Sequence, residues 1–146
     1  METQHWGRPL WVALFDIAAG YTVNKNPDKK EQYKRFFESL GDVLPCSYCR
    51  KTYRPFLDLL NFDKYVEEEE GLIHLVYDMK CLVNEKLARQ AQSRFLEERE
   101  RILDSGLTRK EKDAAITREA AKLPVRRTPP REQVIRDVLR HRVANP

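Results

Sequence analysis

Apolar residues recur three and four positions apart in four successive stretches of this chain, and nowhere does a period of two persist. That pattern puts a stripe on one side of a helix and leaves a strand without a buried face. A first helix is expected over Trp6 to Ala19, with Leu10, Trp11, Leu14, Ile17 and Ala18 on one face. Pro27-Asp28-x-x-Glu31 is a capping signature, because the Asp28 carboxylate can accept first-turn amides. It opens a second helix to about Leu40, burying Tyr33, Phe36, Phe37 and Leu40, and Gly41 is expected to end it. A third covers Cys46 to about Leu60, with Tyr53, Phe56, Leu57 and Leu60 as its stripe, and Pro55 should kink it or end its regular part. The fourth, from about Glu69 to Arg89, presents Leu72, Leu75, Val76, Met79, Leu82, Val83 and Leu87. Four such helices joined by short loops make an up-and-down bundle, so the expected fold class is all-α.

The 146 residues suit one domain with an appendage. No apolar run approaches the roughly 20 residues that span a bilayer. Met1 to Arg8 lack the basic-then-apolar pattern of a secretory leader. Three cysteines are too few to staple a secreted scaffold. The expectation is a soluble, intracellular protein that does not engage a membrane.

The last third changes character. Residues 91–146 hold 14 basic and 9 acidic side chains, net +5, against net −1 for residues 1–90. Thr108-x-x-Glu111 is a capping box opening a charged helix to about Lys122, Pro124, Pro129 and Pro130 mark a linker, and Glu132 to Arg142 form a last helix. Interleaved Arg and Glu usually mark a solvated face, so this basic region reads as surface and not as a nucleic-acid site. Its modest apolar stripes, including Val134, Ile135, Val138 and Leu139, imply packing on the bundle or on a second subunit. A division into residues 1–105 and a basic helical extension, 106–146, follows.

Cys46 and Cys49, in Leu44-Pro45-Cys46-Ser47-Tyr48-Cys49, carry the chemistry. Pro45 sits where a missing amide costs nothing, at a helix start. Unpaired first-turn amides and the positive helix end favour thiolate over thiol. Half of a zinc site is the main rival, but Cys81, His5, His74 and His141 supply no second pair at ligand spacing. An inert buried pair is the other. Reversible dithiol chemistry is the reading we adopt, with no metal. Cys81, mid-helix, is expected to be a small buried hydrophobe.

A dithiol cannot complete an oxidation alone, because two electrons must leave it. Trp6-Gly7-Arg8 followed by Trp11 on the next turn combines a cation with flat aromatic surface, which suits a planar, phosphate-bearing cofactor. Two tryptophans on one helix also serve as ordinary core.

Taken together, Trp6-Gly7-Arg8-x-x-Trp11-x-x-Leu14, Ala18-Ala19-x-Tyr21, Pro45-Cys46-x-x-Cys49 and Val83-Asn84-x-x-Leu87 resemble the Erv/ALR family of FAD-linked sulfhydryl oxidases over residues 5 to about 90. The resemblance implies a four-helix bundle holding FAD at its mouth, a short fifth helix (here Ser93 to Leu103) and a homodimer. It implies Cys46 as the interchange thiol and Cys49 as the flavin-proximal one, with electrons passing through FAD to dioxygen to give hydrogen peroxide. Gly7, Arg8, Trp11, Tyr21, Val83, Asn84 and Lys86 fall at the family's FAD-binding positions.

Departures from the family pattern are specific. Phe15 stands where the first helix usually has a flavin-contacting histidine, Thr22 replaces a usual proline, and Lys80-Cys81-Leu82-Val83-Asn84 keeps only half of a His-Asn-x-Val-Asn motif. Lys80 is therefore expected to pair with a cofactor phosphate. The compact enzymes of large DNA viruses are similar in these respects, which implies a cytoplasmic or virion location. With no second Cys-x-x-Cys in the 146 residues, Cys46 is expected to receive electrons from a separate dithiol carrier or substrate protein. The rival from another class is a non-enzymatic helical adaptor with a basic tail and a metal-linked cysteine pair.

Overall fold

The computed structural model describes residues 3–21, 27–124 and 128–144; Thr22 and the first two residues lie outside them. Its helices are α1 (Thr3–Ala19), α2 (Pro27–Val43), α3 (Ser47–Leu60), α4 (Phe62–Tyr65), α5 (Gly71–Asp104), α6 (Arg109–Ala120) and α7 (Arg131–Ala144). Among the described residues there is no strand. The all-α expectation holds. No helix among them is long and apolar enough to cross a membrane.

The chain forms two compact units, residues up to Lys80 with those from Pro129 onward, and Cys81–Thr128. In the first, the opening turns of α5 are the central post: Leu72, Ile73, Leu75, Val76 and Met79 are all buried. α1 adds Leu14, Phe15, Ala18 and Ala19, α2 adds Phe37 and Leu40, and α3 adds Tyr53 and Leu57. Several sequence expectations need correction here. Gly41 does not end α2, which runs on to Val43 with Gly41 buried inside it. Its role is close approach: a Cβ there would meet the Tyr53 ring at 2.9 Å, so the missing side chain sets how closely α3 packs on α2. Pro55 does not end α3, and Pro9 lies within α1. Each proline leaves one carbonyl four residues back without its amide, and Lys51 and His5, the residues concerned, are exposed at the surface.

Two connections were not anticipated. Asn61 adopts φ 61°, closes α3 with its amide on the Leu57 carbonyl, and leads into α4. Gly71 then starts α5 so close to α4 that a Cβ would stand 1.7 Å from the Tyr65 carbonyl oxygen. Only glycine fits.

α7 belongs with the first unit. Val134, Ile135, Val138 and Leu139 pack on the main core cluster, and α7 lies along α1. The Tyr77 hydroxyl donates to the Pro129 carbonyl at 2.8 Å, and the Arg131 guanidinium lies 5.4 Å from the Tyr77 ring centre. Asp78 takes both Arg131, at 2.5 Å, and the Tyr65 hydroxyl, at 2.7 Å. Burial and that carboxylate push Tyr65 up to about 12. The apolar residues of the last helix thus face the bundle, one of the two outcomes their pattern allowed.

In the second unit, residues 93–103 are not a separate short helix but the continuation of α5. Nothing between Leu72 and Ser105 is a proline or glycine, so no residue interrupts the ladder. Ser105 and Lys112 then cap its last carbonyls, at Ile102 and Leu103, both at 2.6 Å. α6 opens on the expected capping box of Thr108 and Glu111 and carries no buried residue. That is a solvated helix.

Candidate dithiol and cofactor site

The turn before α3 is built to present sulfur. Leu44 is buried, its carbonyl accepts from the Arg50 guanidinium, and Pro45 fixes the approach. Cys46 lies just outside the helix, in extended geometry (φ −99°, ψ 117°), as its N-cap. Its own sulfur performs the capping, accepting the Cys49 amide at 3.2 Å. The sequence pattern predicts Cys46 inside the first turn; the extended backbone puts its thiol over the helix end instead. One orphan first-turn donor is thereby used on sulfur, next to the positive end of α3, and both effects favour the thiolate. Arg50 adds a cation at the same turn. Its signal in the sequence is a basic residue directly after the second cysteine.

Cys46 and Cys49 are both half-buried. Cys49 packs against the main core cluster, as do Trp6, Leu10 and Trp11 of α1. The Thr52 hydroxyl donates to the Tyr48 and Cys49 carbonyls at 3.2 and 3.1 Å, bracing the first turn. Below, Tyr53 donates to the Phe37 carbonyl at 2.8 Å, and burial drives its phenol well above the usual range. Trp11, Leu14, Tyr53, Leu57, Val76 and Met79 help line an internal cavity of about 10 Å³, no more than one water could fill.

The residues singled out on α1 share its length. Gly7 is half-buried and Arg8 exposed. A Cβ on Gly7 would meet nothing within 4 Å. Trp6 buries its indole N–H with no acceptor among the described residues, an arrangement that costs about 1–3 kcal/mol unless something supplies one. A group rich in acceptors lying against this segment would answer that donor, so the residues present fit a flat cofactor with carbonyl and phosphate oxygens. Further along α1, Phe15 is buried, and the Lys80 ammonium stands 5.7 Å from its ring centre. The two positions that depart from the family histidines therefore touch each other.

Other candidates sit elsewhere. Tyr21 is buried, donates to the Val66 carbonyl at 3.0 Å and meets the Tyr33 ring edge-on at 5.0 Å, so its hydroxyl is committed inside the first unit. Burial raises its pKa. Val83, Asn84 and Lys86 are half-buried on the part of α5 in the second unit, where Asn84 donates to the Thr128 hydroxyl at 3.1 Å. Cys81, expected to be buried, is only half so.

A sequence profile of the Erv1/Alr family matches residues 8–101. The chain belongs to that family. Among similar proteins is one from Acanthamoeba polyphaga mimivirus named a probable FAD-linked sulfhydryl oxidase, 32% identical over 85 residues, or 58% of this chain and 59% of the relative. Another, from Invertebrate iridescent virus 3, is given the same activity provisionally and is 24% identical over 60% of this chain and 59% of its own. The mitochondrial FAD-linked sulfhydryl oxidase of Saccharomyces cerevisiae is 27% identical over 46% of this chain and 31% of its own. The chain spans 59% of the length of each viral relative.

Proposed function

We propose that this protein is an FAD-dependent sulfhydryl oxidase that forms disulfide bonds in partner proteins through Cys46 and Cys49. The observation that carries the reading is the start of α3, where the Cys46 sulfur accepts the Cys49 amide and Cys49 packs on the core cluster that Trp11 also meets. Two sulfurs on one helix turn then have different surroundings and different work. Cys46, over the helix end, exchanges with a substrate thiol, and its amide hydrogen bond makes it a stable leaving group. Cys49, against the apolar wall, hands the electron pair inward. FAD, when bound, supplies a two-electron acceptor able to pass those electrons to dioxygen, giving hydrogen peroxide.

Gly7, Arg8, Trp11 and Lys80 are the residues of the first unit we assign to hold the cofactor, with Phe15 and Tyr21 supporting them from within. Val83, Asn84 and Lys86 join the assignment by their family positions. Arg8 and Lys80 bring the positive charge a diphosphate requires. The oxidase core is assigned to residues 1–105, acting as a homodimer and served by a separate dithiol carrier, in a host cytoplasm or a virion. Oxygen uptake by the purified chain with dithiothreitol tests the activity. Parent protein should consume oxygen and release peroxide, and Cys49→Ala should do neither; equal uptake by both would remove the assignment.

A further inference from the structure

α3 carries a second apolar row, on the side away from the core. Tyr48, Pro55 and Leu59 lie seven and four positions apart and so share a face. Tyr48 is 53% and Leu59 70% exposed, and Pro55 is exposed between them. Thr52 falls on the same face with its hydroxyl turned back to backbone carbonyls. Val43, also 70% exposed, ends α2 just before the cysteine turn. Lys51 and Arg54 flank the row, both exposed, and Arg54 faces Asp42 at 3.8 Å. The inner stripe of Tyr53 and Leu57 already holds α3 to the bundle, so this outer row is not needed for folding. Exposed apolar side chains gathered on one helix face are a feature of interaction sites.

What covers it follows from the exchange chemistry, and so rests on the oxidase reading above. A substrate sulfur can reach Cys46 only if its backbone lies on the surface around the start of α3, and the row begins on that same turn, at Tyr48. We propose that this row is the docking surface for the substrate dithiol protein, which seats an apolar segment adjoining its cysteine pair along α3 and sets acidic side chains against Lys51 and Arg54. From Tyr48 to Leu59 is roughly 16 Å along the helix, the reach of about five extended residues. In the exchange, a substrate thiolate attacks Cys46 Sγ of the oxidised pair, the Cys46–Cys49 bond breaks, and Cys49 leaves as thiolate. The second substrate thiolate then attacks its neighbour's sulfur in the mixed disulfide and releases Cys46. The substrate is oxidised, the pair on α3 reduced, and two protons pass to solvent.

The test uses the full chain as purified and a synthetic reduced peptide with a Cys-x-x-Cys pair followed by phenylalanine, leucine and two glutamates. A counterpart with lysines for the glutamates, and dithiothreitol, serve as comparisons. Leu59→Ser should lower kcat/KM for the acidic peptide about tenfold, through KM. Lys51→Glu should shift preference toward the lysine peptide. Both variants should oxidise dithiothreitol like the parent. Unchanged peptide kinetics in both variants, an equal loss with dithiothreitol, or a dimer that Leu59→Ser dissociates would overturn the docking surface. A parent that leaves dithiothreitol untouched removes the oxidase reading and this surface with it, whereas an active parent with indifferent variants removes the surface alone.

Discussion

Two helices here begin with the same geometry and different chemistry. At α6, the Thr108 hydroxyl accepts the Glu111 amide at 3.4 Å, and the Glu111 carboxylate reaches back to the Thr108 amide at 2.8 Å. At α3, the Cys46 sulfur accepts the Cys49 amide at 3.2 Å. Both pairs are N-cap and third helical residue, so two cysteines separated by two residues occupy the positions of a capping box. Spacing alone does not confer redox function. At α6 the cap is an inert hydroxyl on a solvated helix, while at α3 the atom answering the helix amides is a nucleophile, with its partner three residues on and a packed core behind.

Substitutions that preserve the cap while changing its atom should separate the two roles. The largest effect is expected for Cys46→Ser, whose hydroxyl can still cap. Protein-dithiol turnover should fall by at least about a thousandfold, while the unfolding free energy from urea denaturation stays within about 0.5 kcal/mol of the parent. Cys46→Ala should lose turnover equally and also some stability, and identical stabilities for the two variants would break the comparison. Thr108→Ala inverts the pattern: it should cost about 1 kcal/mol in chemical denaturation and leave dithiothreitol oxidation unchanged.

The smallest effect lies in the acid limb. Hydrogen bonds from the Thr108 hydroxyl and amide hold the Glu111 carboxyl below its ordinary 4.5. A depressed folded pKa adds stability that is complete above the unfolded value and fades as pH falls through the folded one. Glu111→Gln should therefore be less stable than the parent at neutral pH, with the gap closing below about pH 4.5. A gap that widens on acidification would show that the carboxylate is not the stabilising form.

Local chemistry was legible in the sequence, and close approach was not. The capping box at Thr108, the dithiol turn and the buried face of Leu72, Leu75, Val76 and Met79 follow from residue types at fixed spacing. Gly41 was misread because a glycine near a helix end looks like a terminator, and only the Tyr53 ring standing over it shows its purpose. Gly71 is hidden for the same reason, since it answers to the Tyr65 carbonyl, whereas Asn61 closes its own helix on the Leu57 carbonyl. The resemblance predicts a separate helix over Ser93 to Leu103, although the sequence itself holds no breaker there. For the proposed site, the cysteines and the α1 segment come from the sequence, by motif and by resemblance. That Tyr21 turns inward and that Lys80 meets Phe15 depended on packing.

The most direct measurement is an anaerobic dithiothreitol titration of freshly purified protein followed by visible absorption. The account predicts a yellow protein whose flavin absorption bleaches in the parent and persists in Cys49→Ala. A colourless chain that takes up no added FAD, or bleaching that is indifferent to Cys49, would contradict it.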